Sequence, residues 1–534
     1  MITHIQPRRL ILLVWILTLI SIAPGFSQMN ETFKLTAGDA SAGDSFGRRV
    51  AISGNYAIVG AISKDEPSAG STLGLIGAAY MFQRNSTGSW TEVQKFLPAF
   101  LYVPETNFGA SVAIDGDLAA VGAYYLANLQ DAVYVYGNSG GTWNHLIRLY
   151  EPVKGFGNDV DLSGNRLIVG AAVGGEGSDF GKGKAFIYEY SGEAGFMGWT
   201  DKTVLESSDA PAANFFGSSV AINGDYAAVS ASGDINTLAG QAVFVFERDG
   251  MGNWNEVQKI TPPSGLLTDG FGTSSLSLDG NRLVIGAASA QVGGVSKGIA
   301  YVYERNATGM WVLAEALTAS DGAQFDSFGS NADIQGNKII VGSRNDDDDG
   351  DASGAAYLYT FNGTTWTETS KYIASDAAAG DRFGQGVAIS DYYAIVGAPS
   401  NDDAGSSSGS AYIFQHRRLI PILPRLIIRI FPNPNFGRFY VGAAVVQPFE
   451  ENPDEQLEMK FIQEKNTIKS NWEIIPTKAK ATIKNSNGKE LLSKDIELPL
   501  LKPIDLTKYG PGLYYLTIDT GELKSTRRIL VEKQ

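Results

Sequence analysis

Phe46-Gly47-Arg48-Arg49-Val50-Ala51-Ile52-Ser53-Gly54-Asn55-Tyr56-Ala57-Ile58-Val59-Gly60-Ala61 reads as strand, tight turn, strand. After the Phe-Gly pair the residues alternate, as a half-buried strand does, and Tyr56 to Ala61 is a continuous apolar run that implies burial on both faces. The same pattern returns at Phe383 to Ala398 as FGQGVAISDYYAIVGA. Phe-Gly pairs stand at residues 46, 108, 156, 216, 271, 328 and 383, in steps of 48 to 62 residues. Seven matches at so regular a step mark a repeat architecture.

Each unit holds four strands. Strand one follows the Phe-Gly, as in Ser219-Val220-Ala221-Ile222, and leads through a turn such as Asn223-Gly224 or Asp279-Gly280 into strand two. A variable Gly/Asp/Ser loop precedes strand three, an aromatic alternation such as Ala242-Val243-Phe244-Val245-Phe246. Strand four is led by Trp90, Trp143, Trp199, Trp254, Trp311 and Trp366, six of the eight tryptophans. A side chain at one point of every unit is expected to pack unit against unit, and sugar stacking is the competing use. Four-stranded units repeated seven times predict an all-β fold, a seven-bladed β-propeller. Unit seven lacks a fourth strand after Tyr412-Ile413-Phe414. Met29 to Leu35 aligns with Trp90 to Phe96 and supplies it, with Met in the Trp place. A ring closed in this way has no loose edge.

Composition fits this reading and narrows the chemistry. Gly is 62 of 534 residues, and hydrophobics make up 44%, too many for a disordered chain. There is no Cys, which removes thiol nucleophiles, thiolate metal sites and disulfides. The three His, at 4, 145 and 416, are too scattered for a His-rich metal site or a His-based triad. A net charge of −15 argues against nucleic-acid binding. Residues 1–27 read as a signal peptide: Arg8 and Arg9, an apolar run from Leu10 to Ile22, and Ser27 before the cleavage point. The run is too short to span a bilayer, so no transmembrane anchor is expected in the mature chain.

The Phe-Gly opening, the Gly-Ala(-Pro) close of strand two, nearest in Gly397-Ala398-Pro399, and the aromatic third strand resemble the FG-GAP repeat of integrin α-subunit propellers and bacterial surface proteins. The resemblance covers residues 28–415, with Ser230-Ala231 and Gly342-Ser343 departing from it, and implies extracellular binding or adhesion. After a connector, 416–429, the composition turns basic, with 19 Lys/Arg against 14 Asp/Glu in residues 416–534. Residues 430–534 are expected to form a small C-terminal β-sandwich. Phe431-Pro432-Asn433-Pro434, Pro511-Gly512-Leu513-Tyr514 and the basic last strand from Thr526 to Val531 resemble the C-terminal sorting domain of the Bacteroidetes type IX secretion system. That resemblance implies the secretion machinery as a partner and a secreted or outer-membrane cell-surface location.

Alternating strands place the 1–2 and 3–4 turns on one face and the 2–3 and 4–1 loops on the other. The second set is long, variable and acidic, and loops on a rigid scaffold are where binding usually resides. Its 2–3 loops include Asp65, Glu66, Glu176, Asp179, Asp234, Asp402 and Asp403, and its 4–1 loops include Asp39, Asp44, Asp209, Asp321, Asp376 and Asp381. Asn345, Asp347, Asp349 and Asp351, with Gly350, match the first half of an Asp-x-Asp-x-Asp-Gly loop, and oxygens at alternate positions suit Ca²⁺. Ser353 stands at the ninth position, and the loop lies between strands two and three, whereas the integrin-type loops lie between one and two. The reading that follows is a monomeric, non-enzymatic propeller that binds an extracellular protein or glycan. A propeller-fold polysaccharide hydrolase or lyase using loop carboxylates is the alternative.

Overall fold

The computed structural model describes residues 27–29, 31–65, 76–98, 106–124, 131–174, 181–191, 196–199, 201–208, 214–233, 240–266 and 268–416. Beyond these it describes 425–431, 438–446, 477–485, 489–498, 504–505, 512–519 and 524–531. The expected signal peptide, save Ser27, and residues 432–437 and 506–511 of the sorting-domain motif lie outside these ranges. The chain divides into two compact units, 1–417 and 418–534.

The first unit is the seven-bladed propeller. In blades 1 to 6 the four antiparallel strands follow chain order, from an inner strand such as Phe46–Ser53, through Tyr56–Ala61 and Ala78–Arg84, to an outer Trp90–Phe96. The second strands are buried along nearly their whole length, because each is covered by a blade on either side. Ser53 pairs with Tyr56 and Asn223 with Tyr226, so the turn residues are Gly54-Asn55 and Gly224-Asp225, one position later than the sequence suggested. Gly leads each of these turns with φ between +55° and +59°.

The repeated aromatics hold the ring together. Every Phe of the Phe-Gly pairs is at most 1% exposed and meets a third-strand ring of its own blade, as in Phe46–Tyr80, 5.6 Å between centroids. Each tryptophan faces the preceding blade: Trp143 meets Tyr56 edge-on at 5.3 Å, Trp311 meets Tyr226 at 5.7 Å, and Trp90 meets Tyr393 at 5.6 Å. Packing, not sugar stacking, uses these rings. In blade 3 the Trp leaves the strand: Trp199 ends a 3-10 turn, Phe196–Trp199, and the outer strand starts at Asp201.

Closure uses the N-terminal segment in two pieces. Phe33–Leu35 pairs antiparallel with the third strand of blade 7, Phe33 opposite Ile413 and Leu35 opposite Ala411. Ser27–Met29 does not continue that strand. It pairs in parallel with Trp366–Tyr372, the outer strand of blade 6, which thereby gains a fifth strand. Met29 still packs in the blade 6–7 core, the place a Trp holds between other blades.

In the second unit the described strands form a three-stranded sheet containing Arg425–Phe431 and a four-stranded sheet ending in Lys524–Val531. The first of these strands begins at Arg425, inside the expected connector.

Candidate functional site

The two faces of the ring differ in how their loops are held. On the 1–2 turn face, a turn residue of one blade accepts the Gly N–H of the next. Gly116 N donates to Ser53 Oγ (3.1 Å), Gly164 N to Asp115 Oδ2 (2.7 Å) and Gly224 N to Ser163 Oγ (3.1 Å). Gly280 N donates to Asn223 Oδ1 (3.0 Å) and Gly336 N to Asp279 Oδ2 (2.5 Å). This belt uses the polar groups of that face for cohesion.

On the opposite face the 2–3 and 4–1 loops of one blade come together around a lysine from its outer strand. In blade 6, Lys371 Nζ donates to Asp321 Oδ2 (2.9 Å), Asp346 Oδ2 (3.2 Å) and Asp348 Oδ2 (2.6 Å). Tyr357 Oη lies 2.7 Å from both Asp321 Oδ1 and Asp346 Oδ2. Burial alone would lower the Lys371 value, but its bonds to Asp348 and Asp321 and the charge of Asp346 raise it, so the ammonium stays charged. Burial pushes the Asp346 carboxyl up, against the bonds from Tyr357 and Lys371. Blade 7 repeats the group with Lys34 bonded to Asp376 and Asp403, and Tyr412 Oη donating to Asp376 Oδ1 (2.9 Å). In blade 1, Lys95 and Tyr80 both bond Asp39, at 2.7 Å each, while Lys64 takes the place of Asp346 and pairs with Asp44 at 2.9 Å.

Asp321, Asp346 and Asp348 are the group of three acids whose ligand atoms fall within 4.8 Å of one another among the described residues. They are not the set chosen from the sequence. Asn345 turns its amide to Phe325 O (3.3 Å) and Ser327 Oγ (3.0 Å), while Asp347, Asp349 and Asp351 are exposed. Among the described residues Asp347, Asp349 and Asp351 do not form such a group, and in the neighbouring one the Lys371 ammonium bonds all three carboxylates. The alternation of Asn345, Asp347, Asp349 and Asp351 was legible, but the acids between them, the buried Asp346 and the exposed Asp348, are the ones that meet Lys371. The signal for the true arrangement is the Lys five residues after the Trp or Met position, in Lys34, Lys95 and Lys371. Glu66, Glu176, Asp179, Asp209 and Asp234 lie outside the described residues.

Replacing Lys371 with Met should therefore leave three carboxylates facing one another. Removing one partner of a buried pair costs about 3–5 kcal/mol. Asp321 and Asp348 are 40% and 55% exposed, so solvent screening reduces the expected loss to about 2 kcal/mol. Millimolar Ca²⁺ should leave the wild-type melting temperature unchanged and recover part of the loss in Lys371→Met. A calcium-dependent rise in the wild type, absent in Asp347→Ala with Asp349→Ala, would instead restore the sequence-derived ligand set.

The inner strands line a central channel of about 330 Å³. Asp161 accepts Ile222 N and Leu162 N, each at 2.8 Å, and Asp333 accepts Ser277 Oγ (2.6 Å) and Ile389 N (2.8 Å). Enclosure by seven blades pushes both carboxyls up, Asp161 to about 8, although each keeps some contact with the channel. Their oxygens join blade 3 to 4 and blade 6 to 5 and 7. His145 stands in the outer strand of blade 2 beside Tyr134 and Tyr136, where burial lowers its value.

The FG-GAP repeat description matches residues 29–82, 90–136, 199–246, 254–303, 311–359 and 366–414. Each match runs from a Trp position, or from Met29, into the third strand of the next blade. Residues 137–198, with most of blade 3, fall outside them. A secretion system C-terminal sorting domain matches residues 462–532, and this type IX domain directs the chain to secretion and the cell surface. Among the described residues no helix is long and apolar enough to cross a membrane. A search of curated proteins returns no match. Among solved structures, the periplasmic gluconolactonase PpgL of Pseudomonas aeruginosa is 14% identical with a TM-score of 0.40, covering 62% of this chain and 86% of that one. The β-propeller domain of the Trilobed protease from Pyrococcus furiosus is 10% identical with a TM-score of 0.38, covering 69% and 90%. Pyrococcus horikoshii acylaminoacyl peptidase is 11% identical with a TM-score of 0.38, covering 74% and 57%. With matched repeats over more than half of the sequence, this chain belongs to the FG-GAP repeat family.

Proposed function

We propose that this is a binding or adhesion propeller, acting as a monomer at the cell surface or in the medium, whose loop face takes an extracellular protein or glycan. The observation that carries the reading is the asymmetry of the ring. The 1–2 turns are tied to one another, and the repeated Phe and Trp rings are spent on packing. Variation from blade to blade is left to the 2–3 and 4–1 loops, braced from below by Lys34, Lys95 and Lys371. A rigid scaffold with variable loops on one face is a common binding design.

A glycan and matrix-protein array probed with the full secreted chain tests this. Saturable binding without product formation is the expected result. Turnover of a polysaccharide, lost on replacing one or two loop-face carboxylates, would overturn it in favour of a hydrolase or lyase.

A further inference from the structure

Three arginines stand at the loop-face ends of the first and second strands of neighbouring blades. Arg48 follows the Phe46-Gly47 pair of blade 1, Arg344 follows the second strand of blade 6, and Arg382 precedes Phe383 of blade 7. The fold does not ask for charge at these positions. Ala110, Ser218 and Ser330 take the place of Arg48 in other blades, and Ser45 and Ser327 take that of Arg382. Arg344 corresponds to Tyr124 in blade 2 and Pro399 in blade 7. All three arginines fall in consecutive blades, 6, 7 and 1.

Their charges act on one another. Arg48 is pushed down from the usual guanidinium value by burial, then by Arg49, Arg344 and Arg382, and is held up by Tyr124. Burial, Arg382 and Arg49 do the same to Arg344. Geometry joins them at Gln385 and Gly386 of blade 7: Gln385 N donates to Arg382 O (3.1 Å), and a Cβ on Gly386 would lie 3.0 Å from Arg48 O. Among the described residues no ion pair joins Arg48, Arg344 or Arg382 to a carboxylate, and Arg344 Nη1 reaches Gln385 Oε1 at 3.5 Å. Arg48 and Arg382 are exposed and Arg344 is half-buried, so in a chain of net charge −15 three guanidinium groups without a carboxylate partner among the described residues are open to an anionic ligand.

A second observation lies beside them. Phe325 is 65% exposed and has φ +74°, in the left-handed region that disfavours a bulky side chain. Blades 1 and 7 have Gly43 and Gly380 there, with φ +87° and +91°. The Phe325 backbone is clamped by Ser296 O, which accepts its N–H at 2.7 Å, and by the Asn345 amide, next in the chain to Arg344. A strained, exposed ring gives the fold nothing, and such strain gathers at ligand sites.

We propose that Arg48, Arg344 and Arg382, with the Phe325 ring, bind an acidic polysaccharide. Guanidinium forks take its carboxylate or sulfate groups, and the ring takes the apolar face of a sugar. The acidic loops around these arginines repel a polyanion everywhere else and so set its register. This deepens the binding reading above and rests on it.

The full secreted chain is titrated with a polyuronate, a sulfated polysaccharide, a neutral glucan, poly-glutamate and inorganic sulfate. Arg48→Ser, Arg344→Ser and Arg382→Ser are combined in one variant, and Phe325→Gly is made alone. The first two substitutions leave unstrained backbone and the third repeats Ser45 and Ser327, so the melting temperature should hold or rise. The expected result is binding of an acidic polysaccharide that weakens with salt, is at least tenfold weaker in the triple variant, and is several-fold weaker in Phe325→Gly. Equal binding by the triple variant, or preference for the neutral glucan, poly-glutamate or sulfate alone, would overturn the proposal. If only another array ligand binds, this inference fails while the binding reading stands. Turnover of the polysaccharide would overturn the binding reading itself.

Discussion

A chain that lacks residues 28–35 should melt roughly 6 °C or more below one that begins at Gln28. Those residues supply Leu35, 3% exposed, the half-buried Phe33 and Met29, and the third-strand pairing of blade 7. Burying one such side chain contributes about 1.5–3 kcal/mol, so the three together contribute roughly 5 kcal/mol. Polar anchors go with them. Thr32 N donates to Ile413 O (2.7 Å), Ser375 N to Glu31 Oε2 (3.1 Å), and Lys34 neutralises Asp376 and Asp403. Against a net stability of about 5–15 kcal/mol, that is a large fraction. Because the lost piece is a strand added to an exposed edge, a synthetic peptide of residues 28–37 should recover much of the loss in trans, as strand addition does elsewhere. A truncated chain that melts with the parent, or that ignores the peptide, would show that blade 7 stands without its fourth strand.

Much of this was legible because repetition turns packing into columns. Phe46 and its six counterparts, and Trp90 with its five, recur at fixed places, and a residue needed by every blade must serve the ring. Even the Met29 substitution pointed to the right neighbour. What escaped was of another kind. Met29 leaves the blade 7 sheet because the outer strand of blade 6 offers it a free edge, a choice made between elements over 340 residues apart. The Lys371 group joins three segments of one blade and recurs in blades 1 and 7, with Lys64 reversing the charge of the Asp346 column in blade 1. A column that changes sign cannot be read as a partner by alignment alone. The sequence therefore drew attention to Asp347, Asp349 and Asp351, while Asp346 and Asp348 beside them hold a cation of the chain itself, Lys371. Arg48, Arg344 and Arg382 occupy three different columns, so only the ring brings them together.

Gly397→Ala should cost about 3 kcal/mol or more, and it tests why the repeat keeps its glycines. A Cβ on Gly397 would lie 1.8 Å from Gly47 O and 2.7 Å from Gly47 C, so the second strand of blade 7 meets the Phe-Gly pair of blade 1 with no room for a methyl group. The same contact joins Gly60 to Gly109, Gly122 to Gly157, Gly170 to Gly217, Gly286 to Gly329 and Gly342 to Gly384. Phe-Gly and Gly-Ala are two halves of one blade-to-blade contact. Overpacking usually costs about 1–3 kcal/mol, and a backbone oxygen in a paired strand gives way less readily than a side chain. One blade shows what relief requires. Ser230 replaces the Gly in blade 4, and the facing inner strand of blade 5 carries an extra residue: Phe271 to Leu276 spans one more position than Phe46 to Val50. There a Cβ on Gly272 would meet side-chain atoms, Val243 Cγ2 at 2.8 Å and Ser230 Cβ at 3.3 Å. Ser230→Gly should therefore cost only about 1 kcal/mol, the worth of its bond from Ser219 N at 2.9 Å. Denaturant melts of the two variants separate the cases. If Gly397→Ala falls no further than Ser230→Gly, the close approach of blades is not what fixes the motif.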